Sequence, residues 1–127
     1  MNVAIAIIKQ DQAIFIAWRR ESLPLPSLWE FPGGKQERGE TLEECLHREI
    51  REELNLAIRI EHLYGKIEYA YPDRAITLYP YLCSLVGSPP ISTETVKWVL
   101  PEELSLYRFP EANRPLLLAL MEGRLLL

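Results

Sequence analysis

Between Leu42 and Leu54 an apolar stripe turns acidic partway along one face of a helix. Thr41-Leu42-Glu43-Glu44 fits a capping box, in which the Thr41 hydroxyl and the Glu44 carboxylate close the N-terminus. Asn55 follows the last turn and tolerates the left-handed conformation that ends a helix. Leu42, Cys45 and Leu46 share one face at the i, i+3, i+4 spacing of a packed stripe. The same stripe continues onto Glu49, Glu52 and Glu53, while Ile50 and Leu54 extend an adjacent apolar edge. The fold must therefore anchor this helix by its apolar residues and leave three carboxylates at a border of the core.

Three carboxylates within about one turn repel each other, and burial without a partner raises their pKa values. A divalent cation bound by oxygen ligands relieves that repulsion, which points to magnesium or manganese. A plain solvated face, with Arg48 and Arg51 supplying salt bridges, explains the spacing equally well. Residues 40–53 hold six glutamates and two arginines, a net of −4 that equals the charge of the whole chain. The loop before the helix, Trp29-Glu30-Phe31-Pro32-Gly33-Gly34-Lys35, brings a glycine pair that permits close backbone approach. It is no Walker A loop, because Gln36 follows the lysine where Ser or Thr belongs.

Composition narrows the classes. At 127 residues, 48% hydrophobic and 25% charged, the chain has the size and make-up of one globular domain, expected to span 1–127. The longest apolar runs fall far short of the ~20 residues of a membrane span. Residues 1–8 lack the features of a signal peptide, and Cys45 and Cys83 form no C-x-x-C, so a reduced cytoplasmic setting is expected. The net charge of −4 argues against long nucleic acid as a partner.

Residues 3–8 and 13–18 are β-rich runs, read as a hairpin closed by Lys9-Gln10-Asp11-Gln12. Leu23-Pro24-Leu25-Pro26 marks a loop. Strand-like runs at 66–71 and 75–84 flank the turn-forming Tyr71-Pro72-Asp73-Arg74, and Pro80 predicts an edge position or a bulge for the second. Residues 96–100 form a short strand, Pro101 opens a possible helix, and 114–122 form a helix with Asn113 as N-cap. The order ββ, helix, ββ, β, helix predicts one sheet with helices packed against it, an α/β (α+β) fold.

Gly34, five residues to Glu40, seven to Arg48-Glu49-Ile50-Arg51-Glu52-Glu53-Leu54-Asn55-Leu56: this run closely resembles the Nudix box, G-x5-E-x7-R-E-U-x-E-E-x-G-U, with U aliphatic. Eight of its nine defined positions match, the departure being Asn55 where the family has glycine. The resemblance implies an α/β/α sandwich around a mixed sheet and hydrolysis of nucleoside diphosphates linked to another moiety, with Mg2+ or Mn2+ as cofactor. It implies that Glu49, Glu52 and Glu53 ligate the metal together with the Gly33 carbonyl, that Arg48 orients the carboxylates, and that Gly34 and Glu40 support the loop and helix start.

Outside the box the chain is similar to the MutT branch, the 8-oxo-dGTP diphosphatases. The likeness runs through Phe15–Arg19, Trp29–Gly34, Tyr71–Leu78 and Phe109–Pro115. By this resemblance Asn113 reads the purine edge, Phe31 packs on the base, and Arg19 contacts the polar part of the nucleotide. Glu30 belongs to the same binding set, and Asp73 and Arg74 help close the pocket. Glu94 falls in the loop where many Nudix proteins place a mobile catalytic glutamate. The implied reaction is attack of water on the β-phosphorus, releasing nucleoside monophosphate and pyrophosphate from a small-molecule triphosphate bound to a monomer. Asn113 as a mere cap, Asp73-Arg74 as a mere turn, and Arg19 as a surface charge are the plain alternatives. So are a CTP, modified-pyrimidine or dinucleoside polyphosphate substrate, and a noncatalytic nucleotide-binding module. His47 and His62 have no catalytic partner in the pattern, and Cys45 reads as a small core residue.

Overall fold

The computed structural model describes residues 1–19, 28–125 and 127. Strands β1 (Asn2–Gln10) and β2 (Ala13–Arg19) are joined by a two-residue turn in which Asp11 takes a positive φ of 54°. The turn is tighter than the four-residue connection expected, since Lys9 and Gln10 pair directly with Ile14 and Ala13. Short strands β3 (Leu28–Glu30) and β4 (Gly33–Lys35) follow; Leu23–Pro26 lies outside the described residues. Helix α1 (Leu42–Leu54) leads to β5 (Ala57–Leu63), β6 (Ile67–Tyr71), β7 (Arg74–Val86) and β8 (Val96–Val99). Two 3-10 turns, Pro101–Leu106 and Glu111–Asn113, precede helix α2 (Arg114–Met121).

The sheet is mixed. Its main path runs β3-β2-β1-β7-β5, with β4 on β1, β6 on β7 and β8 on β2. β1 and β7 run parallel from Asn2↔Thr77 to Ile8↔Cys83, and the other strand pairs are antiparallel. Both faces of β1 are buried, which is why its sequence reads as a near-continuous apolar run. Ala4, Ala6 and Ile8 pack under α1 with Cys45, Leu46 and Ile50. Ile5 and Ile7 face the opposite side with Leu104, Phe109, Leu116 and Leu120 from the 3-10 turns and α2. The result is the expected helix–sheet–helix sandwich.

The pairing corrects the expectation for Pro80. It lies in β7, a central strand opposite Ile5 of β1, fully buried rather than at an edge. On its other side β7 pairs with β6 up to Leu78 and with β5 from Tyr81 onward. Pro80 falls in the handover, where its carbonyl accepts the Tyr64 N–H at 2.9 Å and no ladder bond needs the N–H it lacks. The bulge sits in β5, between Ile60 and His62. Strands β3, β4 and β5 add to those expected from the sequence. β5 alternates Ile58 and Ile60 with polar residues, a legible signal, whereas the three-residue β3 and β4 exist only through their partners β2 and β1.

Candidate active site

Helix α1 forms as its caps dictate. The Glu44 N–H donates to the Thr41 hydroxyl at 3.0 Å, and the Thr41 N–H donates to the Glu44 carboxylate at 2.8 Å. At the far end Asn55 adopts φ 53°, ψ 40°, and its N–H closes on the Arg51 carbonyl. The side chain thus supplies the left-handed stop without glycine. The Gly33-Gly34 strand β4 runs beside the N-terminal half of β1, placing the loop backbone against the helix. The Cys45 thiol donates to the Gly34 carbonyl at 3.4 Å, and the Glu49 carboxyl lies so close over Gly34 that any Cβ there would overlap it.

Arg48 gathers the carboxylates. Its Nε and Nη2 donate to the two Glu40 oxygens at 3.0 and 2.7 Å, a bidentate pair that fixes the guanidinium plane. Nη1 reaches Glu49 Oε1 at 2.8 Å and both Glu52 oxygens at 3.4 Å, and Nη2 donates to the Lys35 carbonyl at 3.3 Å. The Arg48 hydrogen bonds hold the Glu40 carboxyl down at about 2, and the same bonds raise the arginine. Glu40 therefore connects loop and helix through Arg48.

Glu53 is pushed up to about 8. Although the residue reaches solvent, crowding of protein around its carboxyl is the largest cause, followed by a hydrogen bond shared with Glu49 and the charges of Glu30, Glu49 and Glu52. Glu30 is also raised, first by burial and then by Glu49, with Arg19 opposing. Among the described residues no three of His, Cys, Asp and Glu converge tightly enough to hold an ion as they stand. Glu49 is turned onto Arg48 with its side chain 18% exposed, whereas Glu52 remains 60% exposed. The donor chemistry nonetheless fits a hard cation: every group is an oxygen donor, and the carboxylate charges that add to the rise at Glu53 are what a divalent ion offsets.

Beside this helix, reached through Glu30, opens a cavity of about 440 Å3. Val3 and Ile5 from β1 and Ile76 and Leu78 from β7 make its apolar floor, as the alternation of those strands requires. Arg19, Glu30, Phe31, Arg74 and Asn113, five of the predicted substrate residues, line it together. Phe31 packs on Phe109 with ring centres 5.0 Å apart. Arg74 is held over the Tyr71 ring at 4.7 Å and paired with Asp73 at 3.1 Å; Asp73 itself faces solvent outside the cavity. Tyr71, at the end of the expected 66–71 strand, lines the same cavity, a place that its strand and turn signals do not reveal.

One expectation changes. Asn113 does not cap α2 with its side chain: its backbone is already helical at φ −82°, ψ −9°, continuing the preceding 3-10 turn. The residue is 93% buried, yet its amide is not sealed off from solvent without a partner, so it opens into the cavity. Glu94 lines a hollow of about 230 Å3 with Trp18, Trp29 and Thr95. The His62 ring meets Tyr64 edge-on, away from this constellation.

An acidic helix clamped by one arginine thus lies beside a glycine strand and a cavity of about 440 Å3. The NUDIX domain model matches residues 3–119, and the chain belongs to the Nudix hydrolase family. It is 35% identical to the 8-oxo-dGTP diphosphatase of Escherichia coli K12 over 120 residues, covering 92% of this chain and 93% of that protein. It is 32% identical to the CTP pyrophosphohydrolase of the same organism over 126 residues, covering 98% and 93%. The solution structure of the E. coli ORF135 protein superposes with a TM-score of 0.81 at 32% identity, over 97% of this chain and 89% of that one. Nudix hydrolases generally use divalent metal ions such as Mg2+. Among the described residues no helix is long and apolar enough to cross a membrane.

Proposed function

We propose that residues 1–127 form one Nudix domain that converts 8-oxo-dGTP to 8-oxo-dGMP and pyrophosphate, cleaning the cytoplasmic nucleotide pool as a monomer. The observation that carries this reading is Asn113, a residue only 7% exposed whose amide opens into the cavity next to the acidic helix. An amide offers both a donor and an acceptor, matching the O6 and N7–H edge of an oxidised guanine. Ordinary dGTP has no proton on N7, so an acceptor aimed there is left unpaired, and such a site discriminates strongly. Phe31 supplies an apolar ring for the base, while Arg19 and Arg74 bring positive charge to the same cavity.

Glu49, Glu52, Glu53 and the Gly33 carbonyl are the residues that would hold Mg2+ or Mn2+. A divalent cation there supplies charge neutralisation on the triphosphate and acidifies water. Arg48 keeps Glu49 oriented, and one carboxylate of the cluster takes the proton of the attacking water. The new P–O bond forms at the β-phosphorus, the bond to the oxygen bridging the α-phosphorus breaks, and the nucleoside monophosphate leaves. The reaction needs no covalent enzyme intermediate.

The test is turnover of 8-oxo-dGTP, dGTP, dATP and CTP with magnesium, with the products resolved. The expected outcome is the highest kcat/KM for 8-oxo-dGTP, with pyrophosphate as co-product. Highest kcat/KM for CTP would instead assign the pyrimidine substrate named for one relative, and no turnover of any nucleotide would indicate a binding module. Glu53→Gln should lower turnover at least on the order of 10²-fold at saturating magnesium.

A further inference from the structure

Tyr71 touches both ends of the cavity wall. It leaves β6 immediately before the Pro72-Asp73 turn, and its ring packs edge-on against Tyr69 at 4.7 Å and beneath the Arg74 guanidinium at 4.7 Å. Its hydroxyl accepts the backbone N–H of Ala112 at 3.2 Å, across 41 residues of sequence. Ala112 lies in the 3-10 turn that delivers Asn113 and is 1% exposed. An N–H at the start of such a turn has no partner within the turn, and leaving it unmet in the interior is costly. The hydroxyl therefore does what no side chain of the turn does.

We propose that Tyr71 is a positioning residue for base recognition, setting Asn113 through the Ala112 N–H and seating Arg74 on its ring. The proposal rests on the nucleotide reading above and adds a specificity determinant to it. Phenylalanine at this position would keep the ring beneath Arg74 and lose only the anchor of Asn113. Selectivity and charge contact are thus separable at one residue.

The experiment compares wild type, Tyr71→Phe, Tyr71→Leu, Asn113→Ala and the double variant Tyr71→Phe/Asn113→Ala. It reads kcat and KM for 8-oxo-dGTP and dGTP, with Tm for each protein. Tyr71→Phe should lower the ratio of kcat/KM for 8-oxo-dGTP over dGTP by about tenfold, through KM and with kcat near wild type. Tyr71→Leu should in addition raise KM for both nucleotides, because Arg74 loses its seat. The double variant should be no less selective than Asn113→Ala alone, since both changes act through one amide. A lower Tm for Tyr71→Phe with an unchanged ratio, while Asn113→Ala abolishes selectivity, would mark the hydroxyl as merely structural and overturn the proposal, leaving the nucleotide reading intact. Full selectivity in Asn113→Ala, which removes both the donor and the acceptor, would overturn that reading and the proposal with it.

Discussion

Gly33 and Gly34 are adjacent, yet the structure needs them for different reasons. At Gly33, with φ +150°, a Cβ would overlap the Ala4 carbonyl oxygen, which is backbone of the central strand and cannot yield. At Gly34 a Cβ would overlap the Glu49 carboxyl, the far end of a flexible side chain. Gly33→Ala should therefore destabilise the protein by about 2 kcal/mol or more in urea unfolding. Gly34→Ala should leave stability within about 1 kcal/mol and push Glu49 aside, lowering turnover by about tenfold or more. Comparable stability loss in both variants would show that the carboxyl is as immovable as the strand. Both glycines were legible as a close approach, but which partner each one admits depends on β1 and α1, which lie elsewhere in sequence.

At the scale of the element, α1 was the most legible part of the chain, because capping box, apolar stripe and left-handed stop all lie within 41–55. The link from α1 to its preceding loop is the Glu40–Arg48 pair, and it titrates. The folded Glu40 carboxyl is lowered from the ordinary 4.5 to about 2, chiefly by its hydrogen bond from Arg48. A depressed carboxylate stabilises the fold fully above its unfolded value, and the contribution is lost as pH falls through the folded one. Acid titration of the metal-free protein should accordingly show stability falling from about pH 4.5 toward about pH 2. Glu40→Gln should flatten that part of the profile and leave the rest unchanged. An identical slope in the variant would assign the acid sensitivity to other carboxylates. Helix α2 was less legible: its start was read from Asn113 as a cap, but the chain enters through a 3-10 turn already helical, which frees the amide for the cavity.

Across the whole molecule, one sheet is buried on two faces by two unrelated sets of residues. Leu46 on α1 and Leu116 on α2 are 0% and 2% exposed on opposite sides. Truncation of either to alanine should cost about 2–5 kcal/mol, and both variants should still unfold in one transition by near- and far-ultraviolet circular dichroism. A biphasic transition in either variant would show that the two faces are not held by a common β1 and β7.

What the amino-acid sequence determined by itself is the chemistry confined to short spans: the acidic helix and its caps, the glycine loop before it, and the turn at Pro72-Asp73. Each follows from interactions between residues a few positions apart, which pattern and spacing report directly. The tertiary structure alone decided the parallel pairing of β1 with β7, the shelter of Pro80 between β6 and β5, and the convergence of Arg19, Phe31, Arg74 and Asn113 on one cavity. It also set Glu94 against two tryptophans and tied Tyr71 to Ala112. These contacts join residues tens of positions apart, and their partners are chosen by burial of the sheet's two faces and by satisfaction of backbone groups, neither of which has a local period in sequence.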